Sequence, residues 1–309
     1  MLFAWHDIIL DMIDKNFIDS ERDQTYASCD LCGSEKSNVL FEKDGFKHVK
    51  CCNCDLVYVN PRLKNPLERQ ETFYNNLAAS SGDLNKEAYH DYTGSRRKRL
   101  LKEAAMYLPY STNGRILDIG CGLGGFLKAA SERGWEYPEG IEIAPQAAEY
   151  TARFFTVKTN PLEETQYNEY AFDVIRLNNV IEHVPSPKTL MQSVYNSLRP
   201  GGLFVISTPN FDSLSVTFCG KRWQYIGGDD HIYLFTPKTI SQMLKETGFR
   251  VVGIKTKGVH ITPKNHVKRP SSYREKLLNK EIKLIEKILD FFFMRTLRGH
   301  RLKVWAEKI

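Results

Sequence analysis

The segment Arg115–Leu127 constrains the fold of this chain more than any other stretch. It reads RILDIGCGLGGFL, in which a short apolar run with an acid near its end is followed by glycines and then by apolar residues. Such a run is typical of a buried parallel strand, because both faces of that strand are covered. Glycine lets the backbone turn tightly and approach a ligand, since it has no Cβ. The segment therefore predicts a strand, a glycine turn and a helix whose N-terminus faces a nucleotide.

Two acids narrow the choice of ligand. The glycines at 120–125 satisfy the dinucleotide pattern GxGxxG, which alone is a weak signal. Asp118 lies two residues before the first glycine, where it can face the mouth of the strand. A second predicted strand, Gly140–Ile143, carries Glu142 near its end, 22 positions after Gly120 (142 − 120). A carboxylate at that place can accept hydrogen bonds from both ribose hydroxyls, so the pattern indicates an adenosine-containing cofactor.

Three further segments make the pattern resemble the S-adenosylmethionine-binding core of class I methyltransferases. They follow in the family's order, with FDVI at 172–175, NVIEHV at 179–184 and LRPGG at 198–202. The resemblance runs from about residue 90 to the C-terminus and favours S-adenosylmethionine over a nicotinamide cofactor. It implies an α/β, Rossmann-like, mostly parallel sheet whose last strand is antiparallel. The cofactor-binding residues that it implies are Asp118, Gly120, Cys121, Gly122, Gly124, Glu142, Ile143, Asn160, Pro161, Asn178 and Asn179.

One of these positions departs from the family. Asn160 stands in the turn after the third predicted strand, where related enzymes often carry an acid beside the adenine. An amide side chain can still meet the adenine amino group, so the resemblance keeps Asn160 in the cofactor site.

Composition and charge limit the class of protein. A chain of 309 residues with 42% hydrophobic and 12% aromatic residues fills a core and is not disordered. The formal net charge of +6 at pH 7 permits acidic partners such as nucleotide sugars or RNA without demanding them. The first twenty residues lack a signal peptide's basic start, and no run reaches the length of a membrane span. We therefore expect a cytoplasmic protein.

The chain divides into four predicted parts. They are a docking helix at 1–24, a zinc-ribbon-like module at 25–62, a helical cap at 63–112 and the methyltransferase domain at 113–309. Tyr92 of the cap is expected to lie over the cofactor, and residues 210–236 are expected to form a substrate lid. An amphipathic helix is predicted at 271–298. Its apolar side packs on the sheet or on a second subunit of a homodimer, or binds an anionic membrane surface.

Two CxxC pairs predict a metal site. Eighteen residues separate the first pair from the second, and two such knuckles complete a tetrahedral site for zinc. Because the module is too small to bury its own core, the metal would supply its stability. The predicted ligands are Cys29, Cys32, Cys51 and Cys54. A redox dithiol and a CxC pair of Cys52 with Cys54 are the alternatives, and the module either is structural or also contacts substrate.

The candidate catalytic residues are Glu182, His183 and His231. Glu182 and His183 follow the fourth predicted strand, where the methyl group would lie. His183 is a general base for a hydroxyl or a structural residue that orients its loop. The pair also resembles the divalent-metal ligands of ubiquinone-biosynthesis O-methyltransferases, although Asn179 replaces their further acid. His231 opens HIYLFT, a stretch that resembles one in bacterial small-molecule methyltransferases, and is a second base or a structural histidine.

The sequence thus predicts an S-adenosylmethionine-dependent methyltransferase that acts on a hydroxyl of a small molecule. The lid is rich in aromatic residues, and its Lys221 and Arg222 can hold a phosphate, which favours a nucleotide sugar or another surface-polysaccharide precursor. RNA methylation is the enzymatic alternative, in which the zinc ribbon and the basic cluster Arg96–Arg99 would bind the RNA. A non-catalytic protein that binds the cofactor as a regulator or scaffold is the alternative outside enzymes.

Overall fold

The computed structural model describes six stretches of the chain, and these hold every predicted site residue. They are residues 24–64, 92–165, 167–227, 230–261, 273–293 and 296–309. The predicted docking helix, except for its last residue, lies outside the described residues, as do positions 65–91 of the predicted cap.

A small antiparallel sheet comes first in the described chain. The strands of this part are β1 Gln24–Thr25, β2 Ser37–Lys43, β3 Phe46–Cys51, β4 Val57–Val59 and β5 Arg62–Leu63. Asp44 and Gly45 join β2 to β3 with φ values of 52° and 79°, as a two-residue hairpin turn requires. The hairpin pairs Ser37 with Cys51. Both CxxC knuckles therefore lie at one end of this ribbon.

The central sheet follows. The remaining strands are β6 Arg115–Ile119, β7 Tyr137–Ile141, β8 Thr156–Lys158, β9 Phe172–Asn178, β10 Leu198–Pro209, β11 Tyr233–Leu234, β12 Phe249–Lys257 and β13 Arg301–Lys308. Seven of them form one sheet in the order β12-β13-β10-β9-β6-β7-β8. Strands β6 to β10 pair in parallel, while β13 inserts antiparallel between β10 and β12. The predicted mostly parallel sheet with an antiparallel last strand is confirmed.

Helices cover both faces of this sheet. They are α1 Gly94–Met106, α2 Gly125–Glu132, α3 Pro145–Ala152, α4 Pro187–Ser197, α5 Leu214–Cys219, α6 Pro237–Glu246 and α7 Tyr273–Phe293. Alternate residues of each strand point to opposite faces. Ile116 of β6 packs in a cluster with α1 and α2, whereas Leu117 packs in a larger cluster with α4 and α6. None of the described helices is both long and apolar enough to cross a membrane.

The ribbon is joined to the central domain by a shared core and a shared sheet. Leu31, Leu56 and Tyr58 of the ribbon are buried in the same cluster as α4 and α6. Strand β11, from the predicted lid, pairs antiparallel with β4 and extends the ribbon to the order β11-β4-β3-β2. The ribbon therefore buries its apolar residues against the central domain, in addition to any stability that a metal would supply.

Candidate active site

The glycine turn lies between β6 and α2, as predicted. Gly120 has φ of 71°, and its N–H donates to the carbonyl oxygen of Ile141 over 2.8 Å. A Cβ at Gly120 would lie 2.5 Å from Cγ2 of Val180, so a larger residue would collide with the loop after β9. The turn and that loop are therefore packed against each other at the carboxyl ends of β6 and β9.

Glu142 holds this turn from the neighbouring strand end. Its Oε2 accepts the N–H of Gly122 over 2.8 Å, and its Oε1 accepts the N–H of Ala144 over 2.9 Å. The side chain is buried, and this burial raises the pKa of Glu142. Each carboxylate oxygen has a second lone pair, so these bonds leave acceptor capacity for the predicted ribose hydroxyls. Strand β7 ends at Ile141, one residue before Glu142.

Asp118 belongs to a buried charge network that the sequence analysis did not identify. Nη1 of Arg176 donates to Asp118 over 2.6 Å, and Nε of Arg176 donates to Glu103 over 2.9 Å. Lys303 also donates to Glu103, over 2.7 Å. The strand FDVIRLN carries two charged residues, Asp173 and Arg176, in a mostly apolar run, and a buried charge usually has a partner of opposite sign.

Asp118 and Glu103 differ in pKa because Asp118 pairs with one cation, whereas Glu103 pairs with two. Burial raises the pKa of Asp118 to about 6, although Arg176 opposes the shift. Burial has the same tendency at Glu103, but the positive charges of Arg176 and Lys303 outweigh it and hold its pKa well below the ordinary value. Arg176 therefore lies behind the glycine turn as a fixed positive charge between two carboxylates.

The predicted adenine side has a cavity of its own. A cavity of about 310 Å³ lies at the end of β8, and it is lined by Val157, Lys158, Thr159, Asn160, Glu164 and Thr165. Asn160 is part of this lining, and Pro161 follows it at the start of a short turn. Glu164 supplies at this cavity the carboxylate that Asn160 lacks.

The remaining predicted cofactor residues flank the turn. Gly124 has φ of 76° and precedes the first residue of α2, and Cys121 is buried against Gly140. Ile143 is half-buried beyond β7, and Asn178 ends β9. Tyr92, the predicted cap, is buried among α1 and α2, where its ring faces Lys128.

Two loops bring the predicted catalytic residues together beyond β9. The ring centroids of His183 and His231 are 4.5 Å apart, although 48 positions (231 − 183) separate them in the chain. Glu182 is 1% exposed, and its Oε2 accepts the hydroxyl proton of Thr208 over 2.9 Å. Its Oε1 lies 3.9 Å from Nε2 of His183 and has no hydrogen-bond partner among the described residues.

Asp230 orients both histidines. Nδ1 of His231 donates to Oδ1 of Asp230 over 2.9 Å, and Nδ1 of His183 donates to its backbone carbonyl oxygen over 2.8 Å. Burial disfavours the protonated form of His231, but the carboxylate of Asp230 outweighs it and raises the pKa of His231 above 6.5. The same pairing overcomes burial at Asp230 and lowers the pKa of that acid to about 2. Nε2 of His231 is thus left for a proton from an acceptor.

The same three predicted catalytic residues offer a metal alternative. One ligand atom from each of Glu182, His183 and His231 lies within 4.8 Å of the others. Asn179, which replaces the acid of the O-methyltransferases, has φ of 55° and accepts a bond from Arg301 over 2.8 Å. His231 therefore lies where it can supply the third ligand that Asn179 does not, and the unpartnered oxygen of Glu182 suits a cation.

The four predicted zinc ligands form one cluster. The Sγ atoms of Cys29 and Cys54 are 3.4 Å apart, and those of Cys32 and Cys51 are 3.5 Å apart. Zn–S bonds of about 2.3 Å in a tetrahedron would separate the sulfurs by roughly 3.8 Å, so the cluster fits zinc. Cys52 is exposed and outside the cluster, which favours two CxxC pairs over a CxC pair.

The thiol chemistry of this cluster suits a cation as well. Burial raises the pKa of Cys29 to about 11, so the free thiol would keep its proton. At Cys32, hydrogen bonds from Asn53 and Ser34 outweigh burial and lower the pKa to about 7. A metal ion would compensate the charge of the buried thiolates.

The ribbon also contacts the loop that carries Glu182 and His183. Asp30, between the first two cysteines, accepts the hydroxyl of Ser186 over 2.7 Å and the backbone N–H of Lys188 over 2.7 Å. Ser186 caps the N-terminus of α4, so Asp30 supports that cap. Arg62 donates to the Tyr233 hydroxyl over 2.7 Å, and this hydroxyl donates to the carbonyl of Pro185 over 3.1 Å.

Comparison with known proteins identifies the central domain as a methyltransferase domain. A family model described as "Methyltransferase domain" matches residues 90–254. A ubiquinone biosynthesis O-methyltransferase of Neisseria meningitidis is 26% identical over 164 residues, which are 48% of this chain and 68% of that protein. One from Psychrobacter arcticus is 28% identical over 166 residues, 48% of this chain and 63% of that protein. The alignments thus span about two thirds of those relatives.

A solved structure supports the fold. A SAM-dependent methyltransferase of Thermotoga maritima, described as a possible histamine N-methyltransferase, has a TM-score of 0.50 and 16% identity. The alignment covers 79% of this chain and 100% of that chain. At this identity the likeness shows a common fold alone.

Proposed function

The chain belongs to the methyltransferase-domain family, and on that premise we propose that it transfers a methyl group from S-adenosylmethionine to a hydroxyl of a small molecule. The observation that carries the choice of a hydroxyl is the hydrogen-bonded pair of His231 and Asp230 at the acceptor end. A hydroxyl needs a base because it is a poor nucleophile until its proton leaves. The names of the relatives, which are O-methyltransferases of ubiquinone biosynthesis, agree with an oxygen acceptor.

Different residues of this chain bind the cofactor and transfer the proton. Glu142 and the backbone of the glycine turn would hold the cofactor, which when bound supplies an electrophilic methyl group. Nε2 of His231 takes the acceptor's proton, and Asp230 stabilises the imidazolium that forms. His183 is held by the Asp230 carbonyl oxygen and packs beside His231, so it positions the base.

The chemical class of the acceptor beyond its hydroxyl has less support. The sequence favoured a nucleotide sugar or a surface-polysaccharide precursor, whereas the relatives named above are O-methyltransferases of ubiquinone biosynthesis and do not support that class. Lys221 and Arg222, which were expected to hold its phosphate, are exposed. The proposal therefore goes no further than a hydroxyl of a small molecule.

A divalent cation at Glu182, His183 and His231 is a second candidate for activating the acceptor. Its support is the convergence of three ligand atoms within 4.8 Å and the unpartnered Oε1 of Glu182. A cation there would lower the pKa of a bound hydroxyl, so the hydroxyl would lose its proton without a base from the protein. In that case His231 would be a ligand and turnover would stop with a chelator.

A turnover screen with three variants tests the proposal. The protein is incubated with S-adenosylmethionine carrying a labelled methyl group and a panel of phenols, sugars and nucleotide sugars, and products are identified by mass spectrometry. We expect a methyl ether, and a loss of about 10²–10⁴ in turnover for His231→Ala with cofactor affinity retained. Asp230→Asn should lose part of that factor and His183→Ala less than His231→Ala.

Three outcomes would contradict the proposal. Methylated nitrogen or carbon in the product would exclude O-methylation. Salt-sensitive binding and methylation of RNA would favour the nucleic-acid alternative. Cofactor binding by calorimetry, without turnover of any acceptor, would favour a regulatory or scaffold protein.

A further inference from the structure

The outer side of α7 carries an apolar surface. Leu284, Ile285, Ile288, Phe291 and Phe292 are between 46% and 75% exposed. Ile288 lies three or four residues from each of the other four, so all five lie on one side of the helix. These five side chains are called the outer face of α7. Single exposed apolar residues are ordinary on proteins, but a contiguous set on one helix marks an interaction surface.

The opposite side of α7 is fixed to the domain by its acids. Oδ1 of Asp290 accepts the N–H of Gly258 over 2.7 Å. Oε1 of Glu286 accepts the N–H of Ile261 over 3.1 Å and lies 3.5 Å from Nδ1 of His260. These contacts determine which side of the helix points away from the domain. They also turn two carboxylates inward, away from anything that would approach the outer face.

A row of lysines lies beside the outer face. Lys280, Lys283 and Lys287 are exposed, at steps of three and four residues, and none forms an ion pair with a described residue. Glu281 is the exposed acid among the acidic side chains described on this helix. The accessible side of α7 therefore combines apolar groups with an excess of positive charge. Lysine stems can extend along an apolar surface while their ammonium groups reach outward.

We propose that α7 docks this chain on an anionic membrane surface, with the outer face inserted between headgroups and the lysine row against their negative charges. Apolar insertion and attraction to anionic lipid are the two terms that hold such a helix in an interface. The lysines complement that charge, and the inward-turned acids do not oppose it.

Area argues against a second copy of the chain on this face. Five side chains that are about half exposed offer roughly 400 Å², about half of the ~800 Å² that each partner gives to a standard interface. Two copies would also bring exposed lysine rows near each other. A lipid surface needs no matching area, because its headgroups and acyl chains adapt to the helix.

Vesicle co-sedimentation of the full chain tests the proposal. The vesicles are phosphatidylcholine alone, or phosphatidylcholine with an equal part of phosphatidylglycerol. We expect binding to the anionic vesicles that weakens with added salt, and little binding to the neutral ones. The double variant Phe291→Ser/Phe292→Ser should bind anionic vesicles more than tenfold more weakly. Lys283→Glu/Lys287→Glu should also weaken binding and remove its salt dependence.

A matched control distinguishes binding through α7 from nonspecific binding of any exposed apolar residue to vesicles. Phe154 is 65% exposed outside α7, so Phe154→Ser should bind vesicles as the unchanged protein does. Calorimetric titration with S-adenosylmethionine shows that each variant is folded. Absence of binding to anionic vesicles, equal binding to neutral ones, or equal loss in the Phe154 control would overturn the proposal. So would light scattering that shows a dimer which the double phenylalanine variant separates, because the face would then be a subunit interface.

Discussion

Replacing Asp30 by alanine tests whether the cysteine ribbon holds the loop of the acceptor site. The Asp30 carboxylate accepts two bonds of 2.7 Å, from the Ser186 hydroxyl and the Lys188 N–H at the start of α4. A helix cap contributes about 1 kcal/mol, an anion near a helix N-terminus about 0.3–1 kcal/mol, and a hydrogen bond to a charged group about 1.5–3 kcal/mol. Because the site is half-exposed, we take the lower values and expect Asp30→Ala to cost about 2–3 kcal/mol.

That cost converts into a measurable shift. A domain of about 200 residues loses roughly 2–4 °C in melting temperature per kcal/mol, so Asp30→Ala should melt roughly 5–10 °C lower. Differential scanning calorimetry at one fixed scan rate measures the shift, and elemental analysis compares the metal content of the variant with that of the unchanged protein.

The second knuckle offers a matched control for Asp30. Asp55 is 46% exposed and bridges Lys50 and Lys238, a type of surface pair that stabilises proteins little. Asp55 has φ of 67°, a conformation that asparagine tolerates, so Asp55→Asn should remove the pair without backbone strain and shift the melting temperature much less. Equal shifts in the two variants, or a shift within about 1 °C of zero for Asp30→Ala, would refute the idea that the knuckle supports α4.

Three further predictions concern the cofactor, the base and the metal. Glu142→Ala should weaken S-adenosylmethionine binding more than tenfold, or about 1.5–3 kcal/mol, by calorimetry, while Glu149→Ala on the exposed side of α3 should not. Turnover should rise with pH along a limb above 6.5, because His231 must lose its proton and its pKa is raised, and Asp230→Asn should move that limb to lower pH. The stabilisation from the charged pair is lost as the pH rises through the raised pKa of His231, and it is also lost as the pH falls toward the pKa of Asp230, which is about 2. Elemental analysis should find one zinc per chain, and a fully reduced protein with four native-state reactive thiols at Cys29, Cys32, Cys51 and Cys54 would count against the site.

The sequence predicted what is encoded locally. Strands β6 and β9 are mostly apolar, with Arg115 and Asp118 as the charged residues of β6 and Asp173 and Arg176 as those of β9. Together with the glycines that follow β6, this composition predicted the strand and the turn of the cofactor site from residue types. The alternation of β13, in which Leu302, Val304 and Ala306 are buried, likewise marked a strand. The cysteine spacing predicted which four thiols lie together, because two knuckles leave few other geometries.

Contacts between distant segments were not predictable in this way. Strand β11 has two residues, and nothing in Tyr233–Leu234 shows that β4 is its partner. Asp118 was predicted at the cofactor without its partner Arg176, because the sequence of a buried strand does not show which charges will pair across the sheet. Asp30 had no assigned role, since the helix that it supports begins more than 150 positions later.

The predicted catalytic residues lie on two loops, and the ribbon contacts both of them. The carbonyl of Glu182 accepts the N–H groups of Ile232 and Tyr233 over 2.9 and 3.1 Å, which ties the loop after β9 to the residues that follow His231. The N–H of Val59 in the ribbon donates to the carbonyl of Ile232 over 2.9 Å. The position of His231 therefore depends on backbone bonds that end in the ribbon, and loss of metal from the four cysteines should loosen those bonds. Chelation is then expected to lower turnover before it lowers cofactor affinity, because the glycine turn and Glu142 are held by bonds within the central domain.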